Sequence, residues 1–172
     1  MLFRPTDDEK MTARPLSKEE NEIMPQELAA IKLAEEGKLE EAYAALTQVL
    51  VKVPTYASAH NNRAQVLRLL KKDDEALEDL TKAIELSEGK GKVAENAYFQ
   101  RAALYKFRRD EDKARDDFQK AADLGNIQAK EELVALNPYA RMCNQMLAEV
   151  MNDLGSLEES KKASAPSSAE TK

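Results

Sequence analysis

Apolar residues in the middle of the chain recur at intervals of three and four, the pattern of helices that bury one face. Within segments 35–54, 70–88 and 107–126, an alanine is followed after four residues by a bulky apolar residue, and after three more by a small or medium one. The three triplets are Ala42/Leu46/Val49, Ala76/Leu80/Ala83 and Ala114/Phe118/Ala121. Another alanine lies twelve residues before each leading one, at Ala30, Ala64 and Ala102. The pattern predicts three pairs of helices that meet at small residues.

These positions recur at a nearly constant interval. The second set follows the first by 34 residues, and the third follows the second by 38. The segment Gly89-Lys90-Gly91-Lys92 accounts for the four extra residues, because two glycines interrupt a helix and lengthen a turn. A 34-residue period with this alanine spacing is typical of the tetratricopeptide repeat. One helical hairpin cannot bury its apolar face alone, so we predict an all-α superhelix, a solenoid of three stacked hairpins.

The period also sets the expected organisation of the chain. Each repeat consists of a helix A followed by a helix B, and Asn137-Pro138 separates two further helices that we predict to cap the stack. Both ends of the chain are polar and are predicted to be disordered tails. The predicted segments are a tail at 1–22, repeats at 23–56, 57–90 and 95–128 (the last after the 89–92 insertion), capping helices at 127–154, and a tail at 155–172.

Two positions on helix A depart from the repeat pattern. The usual tryptophan and leucine are replaced by Gln26/Ala29, His60/Arg63 and Tyr98/Arg101. We expect these replacements to alter surface detail and to leave the repeat register unchanged.

Composition and charge exclude several classes of function. The net charge of −6 argues against general binding to nucleic acid or to anionic membranes. No apolar run approaches the roughly 20 residues that span a bilayer. The single cysteine, Cys143, cannot form an internal disulfide. These observations predict a cytoplasmic protein, monomeric, with neither nucleic acid nor membrane as a partner.

The ingredients of catalysis are sparse. His60 and Cys143 are the only histidine and cysteine, and they lie far apart in the predicted stack. We expect His60 to fill the tryptophan position of helix A and Cys143 to pack as a small hydrophobe. Neither zinc-ligand spacing nor a glycine-rich phosphate loop is present. We therefore predict a chain that is not an enzyme and that binds no cofactor or metal.

Four stretches, 57–65, 76–92, 114–125 and 133–151, resemble the tetratricopeptide repeat protein 36 family, also called the heat-shock-protein-70-binding protein 21 family. The most specific of them is Leu136-Asn137-Pro138-Tyr139-Ala140 with Cys143-Asn144, which is not part of the general repeat pattern. The resemblance implies a cytosolic binding protein without enzymatic activity, with a chaperone such as heat-shock protein 70 (Hsp70) as a partner.

Repeat domains that bind the acidic tails of heat-shock proteins 70 and 90 hold two carboxylates with a clamp of lysine, asparagine and arginine side chains. The equivalent positions in this chain are Glu27, Ile31, Asn62, Asn96 and Gln100. Only Asn62 matches, and Glu27 would repel a carboxylate. We predict that the chain does not bind such tails through this clamp.

We expect the A helices to line a concave groove that binds a peptide or a helix of a partner protein. Amide, apolar and basic side chains should face it, namely Ile31, Asn61, Asn62, Gln65, Arg68, Leu69, Asn96, Phe99, Ala103, Lys106 and Phe107. For Phe99 and Phe107, packing between neighbouring helices is an equal alternative. For the whole chain, the alternatives are a structural subunit of a larger assembly and a genuine tail receptor.

The last predicted helix is rich in methionine. Its apolar residues fall at helical spacing, namely Met142, Met146, Leu147, Val150, Met151 and Leu154. Their simplest role is to close the final repeat, since methionine fills irregular gaps. The alternative is an exposed face for a partner or for a second copy of the chain.

Overall fold

The computed structural model describes residues 16–163, and every regular element assigned in that range is an α-helix. Most of the predicted tails, residues 1–15 and 164–172, lie outside the described residues. The helices are α1 Lys18–Glu35, α2 Leu39–Lys52, α3 Ala57–Leu69, α4 Asp73–Leu86, α5 Gly91–Phe107, α6 Glu111–Asp123, α7 Ile127–Leu136 and α8 Pro138–Ala163. The all-α prediction is confirmed.

The chain divides into two compact units, Met1–Leu133 and Val134–Lys172. In the first, α1 pairs with α2, α3 with α4, and α5 with α6. Each hairpin packs on the next through α2 against α3 and α4 against α5. The A helices also meet directly, since α1 contacts α3 and α3 contacts α5. The second unit consists of the end of α7 and the whole of α8.

Small residues lie where the period placed them. The alanines of the A helices (Ala30, Ala64, Ala102) and of the B helices (Ala42, Ala76, Ala114) are fully buried. The bulky partners Leu46, Leu80 and Phe118 are buried as well. An alanine at such a contact lets two helix backbones approach closely, so a larger side chain there would force the hairpin apart.

The first helix begins earlier than the first repeat. Ser17 caps α1, because its hydroxyl oxygen accepts from the backbone N–H of Glu20 at 3.1 Å. The Glu20 carboxylate in turn accepts from the backbone N–H of Ser17 at 2.8 Å. This reciprocal capping box satisfies two of the amides that a helix start leaves open. Residues 18–22 are therefore helical, whereas the sequence placed them in the N-terminal tail.

The turn between helices A and B has the same backbone conformation in all three repeats. The middle of its three residues is left-handed each time, at Gly37 (φ 82°), Lys71 (φ 63°) and Arg109 (φ 64°). Glycine adopts this conformation freely, whereas lysine and arginine adopt it at a cost. At the other end of the chain, α8 continues to Ala163, nine residues beyond the predicted end of the capping helices at 154.

Candidate functional site

The surface formed by α1, α3 and α5, called here the A-helix face, carries the residues that the sequence assigned to the groove. The structure sorts them by exposure. Leu69, Lys106 and Phe107 are exposed, while Gln65, Arg68, Asn96, Phe99 and Ala103 are half-buried. Ile31, Asn61 and Asn62 are fully buried. Ile31 therefore contributes packing between helices, and none of these three side chains reaches the surface of the unliganded chain.

At the junction of the first two A helices lies a buried carboxylate. Glu27 of α1 is fully buried and accepts three hydrogen bonds. The Tyr56 hydroxyl donates to its Oε2 at 2.6 Å, and the Ser58 hydroxyl and the Asn62 amide donate to its Oε1 at 2.6 and 2.9 Å. Burial raises the pKa of Glu27, and these hydrogen bonds only partly oppose the increase. The chain's own carboxylate thus binds Asn62, the one clamp position that matches.

The next junction is built on the same plan with neutral groups. Gln100 of α5 donates from Nε2 to Oδ1 of Asn61 on α3 at 3.0 Å. Both residues are buried. Within the part of the chain that the structure describes, Asn61 Nδ2 and Gln100 Oε1 have no hydrogen-bond partner. In each junction the fifth residue of one repeat therefore bonds to the sixth residue of the next.

Apolar and basic side chains are exposed where the A helices end. The residue Leu69 is 53% exposed and Phe107 is 77% exposed. Arg68, beside Leu69, is partly desolvated, which lowers its guanidinium pKa, and no described carboxylate forms an ion pair with it. Lys106, beside Phe107, forms an ion pair with Glu132 of α7. This end of the face can therefore bury apolar groups and attract one negative charge.

The two phenylalanines of α5 have different environments. Phe99 packs on the buried Phe118 of α6, with ring centroids 5.6 Å apart at an interplanar angle of 60°. This tilted arrangement is favourable for aromatic rings, so Phe99 helps to hold the third hairpin together. Phe107 makes no comparable ring contact among the described residues and projects into solvent. The packing alternative therefore applies to Phe99, and the ligand alternative remains for Phe107.

The sequence interpretation missed a buried ion pair that replaces the consensus leucine of helix A. Arg63 donates from Nε and Nη2 to the two oxygens of Asp79 on α4, at 2.7 and 2.8 Å. His60 binds the same carboxylate at 2.9 Å and the carbonyl of Pro54 at 3.0 Å. Asp79 is almost completely buried. The arginine replacement is thus part of the hairpin interior, contrary to the expectation that only surface detail would change.

The third repeat contains the same ion pair. Arg101 donates to both oxygens of Asp117 at 2.7 and 3.0 Å, and Asp117 is buried. Each arginine also reaches back to a threonine of the preceding B helix, Arg63 to Thr47 at 3.4 Å and Arg101 to Thr81 at 3.1 Å. The available sequence signal was an arginine followed 16 residues later by aspartate in two repeats. The first repeat has alanine at both positions.

Groups capable of other chemistry are dispersed. Among the described residues no set of three or more His, Cys, Asp or Glu side chains is arranged to hold a metal ion. His60 is engaged by Asp79 and Pro54, and Cys143 lies exposed on α8. Within the described range, no helix combines the length and apolar character needed to cross a membrane.

Comparison with known proteins identifies the repeats. Two family models, both described as tetratricopeptide repeat, match residues 57–89 and 95–124. Human tetratricopeptide repeat protein 36 is 42% identical over 146 residues, covering 80% of this chain and 77% of the relative. The protein of the same name from Caenorhabditis elegans is 56% identical over 124 residues, covering 72% and 69%.

Solved structures share the fold. The second tetratricopeptide domain of human RPAP3, in complex with the HSP70 peptide SGPTIEEVD, is 27% identical with a TM-score of 0.57, covering 64% of this chain and 91% of that domain. The first such domain of Spaghetti (RPAP3), bound to the HSP90 peptide SRMEEVD, is 24% identical with a TM-score of 0.61, covering 74% and 94%.

Proposed function

Because the chain belongs to the tetratricopeptide repeat protein 36 family, we propose that it is a non-enzymatic cytoplasmic adaptor that binds a segment of a partner protein on its A-helix face. The observation that carries this proposal is the exposure of Leu69, which follows Arg68 on α3, and of Phe107, which follows Lys106 on α5. Covering large apolar side chains with a partner is favourable, and a guanidinium that forms no ion pair with a described carboxylate favours an acidic group nearby. The ligand is therefore a segment with apolar anchors and at least one acid.

A chaperone is the partner class with the most support. The RPAP3 domain that is 27% identical to this chain holds an HSP70 peptide. The exposed apolar and basic groups of the A-helix face suit a peptide of that kind, which combines isoleucine and valine with acidic residues. We propose a co-chaperone-like role for the chain on this basis.

The mode of binding we propose differs from a carboxylate clamp. Asn62 already donates to the Glu27 carboxylate, and Ile31 is buried. The two remaining clamp positions, Asn96 and Gln100, are uncharged. A terminal carboxylate therefore gains little from these positions, and recognition rests on the side chains of the segment. The HSP70 peptide with a free terminus and the same peptide with an amidated terminus should bind equally.

The test is capture of partners from cell extract with the intact chain and with Arg68→Glu/Lys106→Glu. We expect the double reversal to lose the partners of the A-helix face. A matched control, Lys82→Glu/Arg115→Glu, changes the net charge equally on the B helices, and it should retain them. Unfolding of both variants is followed by circular dichroism, because Lys106 pairs with Glu132. Equal capture by all three proteins would place the binding surface elsewhere.

The exposed apolar row of α8 favours a second candidate, a structural subunit of a larger assembly. Met142, Met146 and Leu147 are exposed, as are Val150, Met151 and Leu154 farther along the helix. Sedimentation of a truncation ending at Asn137 distinguishes the roles. A folded, monodisperse truncation favours an interaction face on α8, whereas aggregation of the truncation favours a cap that closes the repeats.

A further inference from the structure

Neutral amides occupy the middle of the A-helix face, between the second and third repeats. Asn61 and Gln65 lie one helical turn apart on α3, and Asn96 and Gln100 lie one turn apart on α5. Ala103, one turn beyond Gln100, is half-buried. These five uncharged residues lie on two helices that contact each other, and a hydrogen bond joins Asn61 of α3 to Gln100 of α5.

The inner pair of this cluster has unused hydrogen-bonding capacity. The Asn61–Gln100 bond uses one polar atom of each side chain and leaves Asn61 Nδ2 and Gln100 Oε1 without a partner among the described residues. Both residues are more than nine-tenths buried. Buried polar atoms are normally paired, since an unpaired one loses its hydration without compensation. In the first junction, by contrast, both carboxylate oxygens of Glu27 accept hydrogen bonds.

The presence of one unpartnered donor and one unpartnered acceptor does not depend on how the amides are oriented. If the oxygen and nitrogen of both side chains are exchanged, Asn61 donates to Gln100, and one acceptor and one donor are again left over. If the oxygen and nitrogen of only one side chain were exchanged, two oxygens or two amino groups would face each other. In every favourable arrangement the pair therefore offers one amino group and one carbonyl oxygen.

We propose that Asn61 and Gln100 form a recognition site for an amide group of the bound segment, most simply its main chain. The ligand carbonyl accepts from Asn61 Nδ2, and a ligand N–H donates to Gln100 Oε1. An ionised carboxylate cannot donate to Gln100, and an ammonium cannot accept from Asn61, so the pair selects an amide over either charged group. This inference rests on the proposed function, because it places the segment across the A-helix face.

Access to the pair requires side chains to move, because both free atoms are covered in the unliganded chain. Asn61 is fully buried, and Gln100 is 8% exposed. The terminal torsion of glutamine is broad, so the Gln100 carboxamide can turn toward the surface at the cost of its hydrogen bond to Asn61. A bound amide would then replace the partner that each atom lacks.

The experiment uses short peptides selected from a random phage-displayed library on the full chain, and then synthesised with acetylated and amidated ends. Weaker binding to Phe107→Ala identifies those that lie on the A-helix face. Each backbone nitrogen of such a peptide is methylated in turn, and each Asn or Gln is replaced in turn by leucine. Affinity is measured by calorimetry for the wild type and for Asn61→Leu/Gln100→Leu.

We expect one modification to weaken binding to the wild type about tenfold, the usual effect of one lost hydrogen bond. The same modification should have little effect on the double variant. A methylated position would identify a main-chain amide, and a sensitive Asn or Gln would identify a side-chain amide. Either result supports the site.

Two results would overturn it. Peptides that respond to Phe107→Ala but tolerate every methylation and replacement would refute the amide site and leave the proposed function intact, an ordered water then being the simplest partner of the pair. Failure to select any peptide that responds to Phe107→Ala would remove both proposals. The methylation series on the wild type decides the question even if the double variant does not fold.

Discussion

The buried Arg63–Asp79 pair gives the sharpest test of how the repeats are stabilised. In Asp79→Ala the Arg63 guanidinium loses both of its carboxylate contacts and His60 loses one of its two hydrogen bonds. The side chains involved are 18% exposed for Arg63 and 3% for Asp79, so solvent replaces little of what is lost. The arginine is left largely buried with no counter-ion.

Removing one partner of such a pair costs about 3–5 kcal/mol. The free energy of unfolding of an ordinary domain is about 5–15 kcal/mol, so this loss would remove a large share of the stability. Replacing both residues, Arg63→Ala/Asp79→Ala, removes both charges and reproduces the alanines that the first repeat has at positions 29 and 45. We therefore expect the double variant to be about 1–3 kcal/mol more stable than the sum of the single losses implies.

Urea denaturation followed by circular dichroism measures these differences. The control is Asp112→Ala, because the Asp112–Arg115 pair at 3.2 Å is exposed. The change in unfolding free energy caused by Asp112→Ala should be within about 0.5 kcal/mol of zero. A change of comparable size for Asp79→Ala and Asp112→Ala, or simple additivity of Arg63→Ala and Asp79→Ala, would refute the reasoning.

The same pair predicts a dependence on pH. Burial raises the pKa of Asp79, but hydrogen bonds from Arg63 and His60 outweigh burial and hold the pKa below its usual range. A carboxylate with a depressed pKa stabilises the fold above its unfolded pKa of about 3.9, and this contribution disappears as the pH falls through the folded-state pKa. The difference in unfolding free energy between wild type and Asp79→Ala should therefore shrink in strong acid. A difference that is constant from neutral pH to strong acid would contradict this assignment.

Three further predictions follow from single positions. Burial raises the pKa of Glu27, so its ionisation costs stability as the pH rises above the ordinary glutamate value, and Glu27→Gln should be more stable than wild type at neutral pH but not in acid. Denaturation curves at the two pH values check this, and a loss of stability at neutral pH would contradict it. Arg109→Gly removes the strain of a non-glycine residue in a left-handed backbone conformation and should stabilise the chain by roughly 0.5–1 kcal/mol, measured by the shift of the urea midpoint. Phe107→Ala should change stability by less than about 0.5 kcal/mol, because the ring is exposed, while weakening partner capture; a large loss of stability would show that the ring packs.

The fold could be read from the sequence because small residues repeat where helix backbones touch. The burial of Ala30, Ala64 and Ala102 follows from the 34-residue interval, and so does the pairing of helices. Hydrophobic periodicity reports which face of a helix is buried, and every repeat contributes to that signal. The same signal could not show that α1 begins at Lys18, since a capping box depends on two residues rather than on a period.

The polar interior was harder to predict. Arginine at the consensus leucine position suggests an exposed side chain. Arg63 instead binds the carboxylate of Asp79, 16 residues away on the neighbouring helix. Glu27 at a clamp position suggests repulsion of a ligand, whereas its carboxylate is buried and accepts hydrogen bonds from Tyr56 and Ser58. In both cases the outcome depends on which side chains meet across helices. The sequence shows which residues are charged, but their spacing alone does not show which side chains they contact.

The most direct test of the adaptor proposal is site-specific photocrosslinking in cells. A photoreactive phenylalanine analogue replaces Phe107 on the A-helix face in one protein and Val51 on α2 in another, where the valine is 69% exposed. Our account predicts a covalent adduct with a partner protein from the position of Phe107 and none from that of Val51. An adduct from position 51 alone would contradict it.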